Sequence, residues 1–152
     1  MNDDNIKLNV RVAGLITDSN KVLLQTCDKT DFYSLPGGRV KYMEDSLCAI
    51  KRELKEELGI IIKDKDIELI DMLENFFVFD DTKYHEYLFI YKISNCYNLK
   101  NKDNFKTLDK ASSTNSWHDL DKVPNLNVKP EIIKKLVYTK KLRHDIVHEI
   151  NA

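Results

Sequence analysis

Apolar and polar residues interleave from Ile6 to Thr17, where Val10, Val12 and Leu15-Ile16 supply the apolar positions. They do so again from Lys21 to Thr26, around Val22-Leu23-Leu24. Between the two runs lies Asp18-Ser19-Asn20, a cluster of turn-forming residues, so the pair predicts a β-hairpin. Residues 60–63, 67–79 and 84–93 also alternate or run apolar like strands, with Asp80-Asp81-Thr82-Lys83 as the turn joining the last two. Over residues 45–58 the period changes. Leu47, Ile50, Leu54 and Leu58 are spaced by three, four and four positions, which places them on one stripe of a helix. Gly59 follows as a left-handed cap that ends the helix abruptly. Residues 98–114 are polar and predict a loop. Pro130 opens a second helix, running through Ile132-Ile133 and Leu136-Val137 to Ile150. Strands with one helix in the middle and one at the end predict an α/β fold, a mixed β-sheet sandwiched by helices.

Composition narrows the class. A chain of 152 residues, 42% hydrophobic and 32% charged, has the balance of a folded protein and the length of one domain spanning 1–152. No run approaches the roughly 18 apolar residues of a membrane span. The acidic start, Met1-Asn2-Asp3-Asp4, leads into no apolar segment of a secretory leader. Three scattered cysteines, Cys27, Cys48 and Cys96, have no metal-ligand spacing; they predict reduced thiols and a cytoplasmic setting, with Cys27 and Cys48 as buried fillers. The 24 basic and 25 acidic residues leave a net charge of −1, which gives no support for a nucleic-acid partner. Small polyanions stay open as ligands, because a bound cation can supply the missing positive charge.

The chemistry gathers on helix 45–58. Glu53, Glu56 and Glu57 stand at i, i+3 and i+4, so they project from one flank beside the leucine stripe. Carboxylates this close repel one another, and Lys51, Arg52 and Lys55 offset only part of that cost. Together they form a set of hard oxygen ligands suited to Mg²⁺ or Mn²⁺. Taken alone, a Lys-Arg-Glu-Leu-Lys-Glu-Glu-Leu run is also what a solvated helix face looks like. The context favours the ligand set. The run is preceded by Glu44 and by Pro36-Gly37-Gly38, a tight bend where backbone can approach a ligand closely, and it is followed by Gly59-Ile60.

This arrangement resembles the Nudix box, GX5EX7REUXEEXGU with U aliphatic. Here Gly38, Glu44, Arg52-Glu53-Leu54, Glu56-Glu57 and Gly59-Ile60 fill every fixed position. The Leu-Pro-Gly-Gly lead-in and the flanking strands are similar to the family as well. The resemblance implies a Nudix-type α/β/α sandwich. It also implies hydrolysis of the pyrophosphate bond of a nucleoside diphosphate linked to another moiety, a nucleoside triphosphate or a nucleotide sugar, by metal-activated water. It implies Glu56 and Glu57 as the main ligands of Mg²⁺ or Mn²⁺, Glu53 as ligand or general base, and a Gly37 or Gly38 carbonyl as backbone ligand. Arg52 then orients the carboxylates, Glu53, Arg52 and Glu57 form the catalytic set, and Glu44 fastens the loop to the helix.

Some family members carry a further glutamate before the late tryptophan. Ser112-Ser113-Thr114-Asn115-Ser116-Trp117 contains none, so Glu86, then Glu74, are the candidates for an outside carboxylate. Arg11, Arg39, Tyr33, Phe77 and Glu86 are the expected substrate contacts, with Tyr87 and Trp117 as further aromatic faces. The partner is a small nucleotide, and a homodimer stays open. Two other readings compete. One is a non-catalytic Nudix-fold nucleotide sensor. The other is a zinc peptidase, because His144-Asp145-Ile146-Val147-His148 nearly spells HExxH.

Overall fold

A computed structural model describes residues 5–149. Their strands are β1 (Ile6–Asp18), β2 (Lys21–Cys27), β3 (Gly37–Arg39), β4 (Ile67–Phe79), β5 (Thr82–Ile93), β6 (Phe105–Lys106), β7 (Ser113–Asp119) and β8 (Arg143–His148). The helices are α1 (Ser46–Leu58) and α2 (Ile133–Leu136). Strand order is β6-β7-β2-β1-β5-β4-β8, with β3 on β1. The sheet is mixed: β1 lies parallel to β5 and β4 parallel to β8, while β4 and β5 form an antiparallel hairpin. A parallel neighbour needs a long crossover, and the connection from β1 to β5 is where α1 sits.

Alternation along β1 builds two cores, one on each face. Val12 and Ile16 join Ala49, Ile50, Leu54 and Leu58 of α1. Ala13 and Leu15 face the other way, toward Ile133 and Leu136 of α2. The expected α/β architecture, a mixed sheet with helices on both faces, is therefore the observed one. Helix α1 is fixed at both ends. The Asp45 carboxylate accepts from the Cys48 N–H at 2.7 Å, and Gly59 takes φ 71° while its N–H donates to the Lys55 carbonyl. Both predicted hairpins form. In the second, Asp80 and Asp81 take positive φ of 49° and 59°, the twist that suits a two-residue connection.

Several expectations fail. Residues 60–63 form no strand; Ile60 and Ile62 are buried as extended chain beneath the α1 core. Leu47 is exposed, so the buried stripe of α1 is Ala49, Ile50, Leu54 and Leu58. The polar 98–114 segment is not all loop: it holds a 3-10 turn at Leu99–Asn101, β6 and the start of β7. Cys48 is exposed and Cys27 half-buried, so neither is a core filler.

The largest error is the second helix. It stops at Leu136, and residues 143–148 form β8 along β4, while Ile150 lies outside the described residues. Within β8 the inward and outward positions alternate singly, a two-residue period that Ile146-Val147 suits better than a helix does. His144 and His148 therefore stand about 13 Å apart along a strand instead of one turn apart on a helix. His144 Nε2 contacts Glu74 Oε2 at 2.6 Å and the His148 ring stacks on Phe76, so the zinc-peptidase reading loses its geometry.

The hairpin also buries a carboxyl. Asp71, beside a bulge in β4, is 0% exposed, and neither of its oxygens has a hydrogen-bond partner among the described residues. Burial first, and then the Asp145 carboxylate beside it, push the Asp71 pKa up to about 7. No helix among the described residues is long and apolar enough to cross a membrane.

Candidate active site

The glycine bend comes closest to the rest of the chain at two adjacent points. β3 pairs with the middle of β1, Gly37 opposite Ala13 and Gly38 opposite Val12. A Cβ on Gly37 would stand 2.0 Å from the Val12 carbonyl oxygen, and one on Gly38 would stand 2.3 Å from the Glu53 carboxyl carbon. At Gly37 the obstacle is backbone, so no side chain fits there; at Gly38 a side chain fits only if the Glu53 carboxylate moves away. The bend is held in turn by α1: the Gly37 N–H donates to Glu57 Oε2 at 3.1 Å.

Arg52 ties the carboxylates together. Its Nε and Nη2 donate to the two oxygens of Glu44 at 2.7 and 2.8 Å. Its Nη1 donates to Glu53 at 2.9 Å and to Glu56 at 3.2 Å, and Nη2 also reaches the Arg39 carbonyl at 3.0 Å. One planar guanidinium thus spans loop and helix, which a point-like ammonium cannot do. Hydrogen bonding from Arg52, followed by the Lys41 N–H, holds Glu44 down to about 2. Glu57 behaves in the opposite way. Its burial, then the nearby Glu53 and Asp109, push it up to about 8.

This donor set fits a hard divalent cation. Oxygen ligands are concentrated against a backbone bend, and the charge on Glu57 is poorly tolerated until a cation joins it. Among the described residues no three acidic, imidazole or thiol side chains converge as a ready-made ligand cluster. Arg52 holds Glu53 and Glu56, and the Gly37 amide holds Glu57, so coordination calls for these side chains to turn. Glu56, with 44% of its side chain exposed against 13% for Glu53, has the room.

A cavity of about 480 Å³ opens beside Gly37 on the α2 face of the sheet. Arg11 and Arg39 stand next to one another in register, and both line it. Phe77 stacks on Tyr84 with ring centroids 4.9 Å apart on another part of the wall. Burial raises the pKa of Glu86 on the floor, and Arg11 and Arg39 partly oppose the shift.

A sequence model of the NUDIX domain matches residues 7–138. The chain belongs to the Nudix family. A 55-residue stretch is 38% identical to the 8-oxo-dGTP diphosphatase of Buchnera aphidicola subsp. Schizaphis graminum, covering 34% of this chain. The match spans 42% of that relative's length. Among solved structures, the MutT protein of Bacillus halodurans superimposes with a TM-score of 0.66 at 20% identity, over 93% of this chain and 91% of that one. An ADP-ribose pyrophosphatase of Streptococcus suis gives a TM-score of 0.57 at 15% identity, over 91% of this chain and 98% of that one. At these identities the structural likeness is one of fold.

The Nudix-box residues thus meet at one place: Gly38, Glu44, Arg52 and Glu53 are in direct contact, with Glu56 and Glu57 attached through Arg52 and Gly37. Of the expected substrate contacts, Arg11, Arg39, Phe77 and Glu86 line the cavity. Tyr33 does not. Its backbone bridges to Asn127 and Lys129 and its ring meets His118 edge-on at 4.7 Å, making it a packing residue of the α2-side core. Glu74 points to the opposite face of the sheet and contacts His144, and Tyr87 shares that face in register with it. Trp117 donates its indole N–H to the Leu99 carbonyl and packs under α1. Asn9, Asn75 and Phe32 line the cavity unforeseen. The signal for Asn75 was available: it stands in phase with Leu73 and Phe77, an inward polar residue on an alternating strand.

Proposed function

We propose that this Nudix protein is a divalent-metal-dependent hydrolase that cleaves the pyrophosphate bond of a nucleoside diphosphate linked to another moiety, with nucleoside triphosphates the favoured class and nucleotide sugars the second. The observation that carries this reading is the meeting of the Arg52-centred carboxylates and the Gly37-Gly38 bend at the mouth of a cavity lined by two arginines. Glu53, Glu56 and Glu57, with the Gly38 carbonyl, would hold Mg²⁺ or Mn²⁺. When bound, the cation neutralises phosphate oxygens and lowers the pKa of a coordinated water. Arg11 and Arg39 bind the remaining phosphate charge from the cavity side. Arg52 keeps the carboxylates aimed, and a box carboxylate, Glu53 or Glu57, takes the proton of the attacking water. No covalent intermediate is needed. We further propose a cytoplasmic protein acting on free nucleotides, for which the net charge of −1 is suited.

The test is incubation with a panel of nucleoside triphosphates and nucleotide sugars in Mg²⁺ or Mn²⁺, with products resolved by chromatography. Nucleoside monophosphate should appear with wild-type protein, cease with chelator, and be absent for Glu57→Gln. Failure of the folded wild-type chain to cleave any of them, while still binding nucleotide, would instead make it a sensor.

A further inference from the structure

The cavity floor carries a row of three buried polar side chains. Asn9 of β1 lies opposite Glu86 of β5, and Glu86 lies opposite Asn75 of β4, so the three stand side by side across three neighbouring strands. All are buried, with exposures of 9%, 7% and 3%. Their neighbours along the strands on this face are Leu73 and Leu88 on one side and the Phe77–Tyr84 stack on the other. On β4 and β5 the amide and the carboxylate therefore interrupt an apolar and aromatic surface, while on β1 Asn9 stands between Lys7 and Arg11. Asn75 Oδ1 has no hydrogen-bond partner among the described residues. The Glu86 carboxylate faces Arg11, whose Nε is 4.0 Å from its Oε2, beyond hydrogen-bonding distance. Buried polar groups are ordinarily paired, and a buried row that keeps an unpartnered amide oxygen beside a cavity is a place where a ligand completes the pairing.

Position along the sheet says which part of the ligand reaches the row. The bend pairs with β1 at Ala13, Arg11 lies two residues on, and Asn9 two further. At the strand rise the row is about 13 Å from the bend, with the arginine between them. On the reading given above, phosphates lie at the bend and arginines, and the far end of the molecule, its base, lies over the row.

We propose that Asn9, Glu86 and Asn75 form the base-reading element of the substrate pocket and select guanine. This inference rests on the cavity being the substrate site. Glu86 at the centre is an acceptor with two oxygens in one plane and pairs best with two adjacent N–H donors. Among the common bases, only guanine offers that edge: N1–H and the 2-amino group stand next to each other, with O6 beyond as an acceptor for a flanking amide. Adenine sets one donor beside an acceptor nitrogen, which a carboxylate repels. Cytosine has one amino donor beside two acceptors, and uracil a single N–H between two carbonyls. The Phe77–Tyr84 pair beside the row supplies an aromatic surface for the ring.

The experiment is isothermal titration of the wild-type protein with GDP, IDP, ADP and CDP, without divalent metal so that no turnover intervenes. GDP should bind at least about tenfold more tightly than IDP, which lacks only the 2-amino group, and about a hundredfold more tightly than ADP or CDP. Glu86→Gln, which keeps the shape but turns one acceptor into a donor, should bring GDP and IDP to within a factor of about three. Asn75→Leu should lower GDP affinity while leaving the protein at least as resistant to urea as the wild type, because it removes a buried amide oxygen that has no partner among the described residues. A merely structural Asn75 would show the reverse. Equal affinity for GDP and IDP, or preference for ADP or CDP, overturns the proposal, and the wild-type series decides this even where a variant fails to fold. The two readings also separate: guanine-selective binding without hydrolysis keeps this proposal and removes the enzymatic one, while hydrolysis blind to the base does the opposite.

Discussion

Gly37→Ala and Gly38→Ala, two one-carbon changes at neighbouring positions, should fail in different ways. At Gly37 the new methyl would lie 2.0 Å from the Val12 carbonyl oxygen and 2.8 Å from the Ala13 Cα, both backbone atoms of a central strand. Ordinary contact needs more than 3 Å, so β3 must move off β1 by an ångström or more. That movement strains the Gly14 N–H bond to the Pro36 carbonyl at 2.8 Å and the Gly37 N–H bond to Glu57 at 3.1 Å. At about 1 kcal/mol per lost bond, plus roughly 1–3 kcal/mol for overpacking, the variant should lose about 3–5 kcal/mol. At Gly38 the atoms nearest the methyl are those of the Glu53 carboxyl, at 2.3–2.5 Å. The end of a flexible side chain can swing away, so stability should fall by no more than about 1 kcal/mol. Its cost is catalytic, because Glu53 leaves its place beside Arg52, and an ångström of misplacement is worth about 10²-fold in rate. Urea unfolding by circular dichroism and steady-state nucleoside monophosphate release separate the two effects. A Gly38→Ala protein as unstable as Gly37→Ala, or one with full activity, would refute the assignment of one glycine to the sheet and the other to the carboxylate.

Three further outcomes follow from the same contacts. Arg52→Lys keeps the charge but cannot reach Glu44, Glu53, Glu56 and the Arg39 carbonyl together; kcat should fall by at least about tenfold, and an unchanged kcat would show that Arg52 does not aim the carboxylates. Asp71 has a folded-state pKa raised to about 7 from 3.8, so its contribution to stability is fully present below about pH 4 and is lost as pH rises through 7. Asp71→Asn, which cannot ionise, should therefore gain on the wild type in urea midpoint between pH 5 and 8, and a constant difference across that range would refute the burial argument. Leu54→Ala empties a fully buried position where α1 meets the sheet and should cost about 2–5 kcal/mol by urea unfolding; a loss below 1 kcal/mol would mean that α1 is not seated as described.

What the sequence shows well is local. The period of residues 45–58, the Asp-Asp turn and the glycine after Leu58 each carry their own short-range signal, and each appears in the structure where expected. Residues 60–63 and 143–148 show the limit of that signal. Ile60 and Ile62 are buried without a strand partner, and β8 is a strand because β4 offers it an edge, a fact that lies some 70 residues away in the chain. The box could be read because its members sit within 23 residues of one another. The cavity could not, since Asn9, Asn75 and Glu86 become neighbours only once β1, β5 and β4 pair. Tyr33 departs from its expected place for a related reason: an aromatic ring near a glycine bend looks the same in sequence whether it turns to the cavity or to His118.

The alternation of β1 has a consequence for how the protein can change. Arg11 points to the cavity side while Val12, the next residue, points to the helix. A deletion of one residue between Val12 and the hairpin tip would slide each preceding side chain of the strand to the wrong face at once, taking arginine into grease and valine into water. Substitutions can therefore retune the cavity side, but changes in length have no gentle route through this segment, and insertions in variants of the protein should collect at the hairpin tips instead.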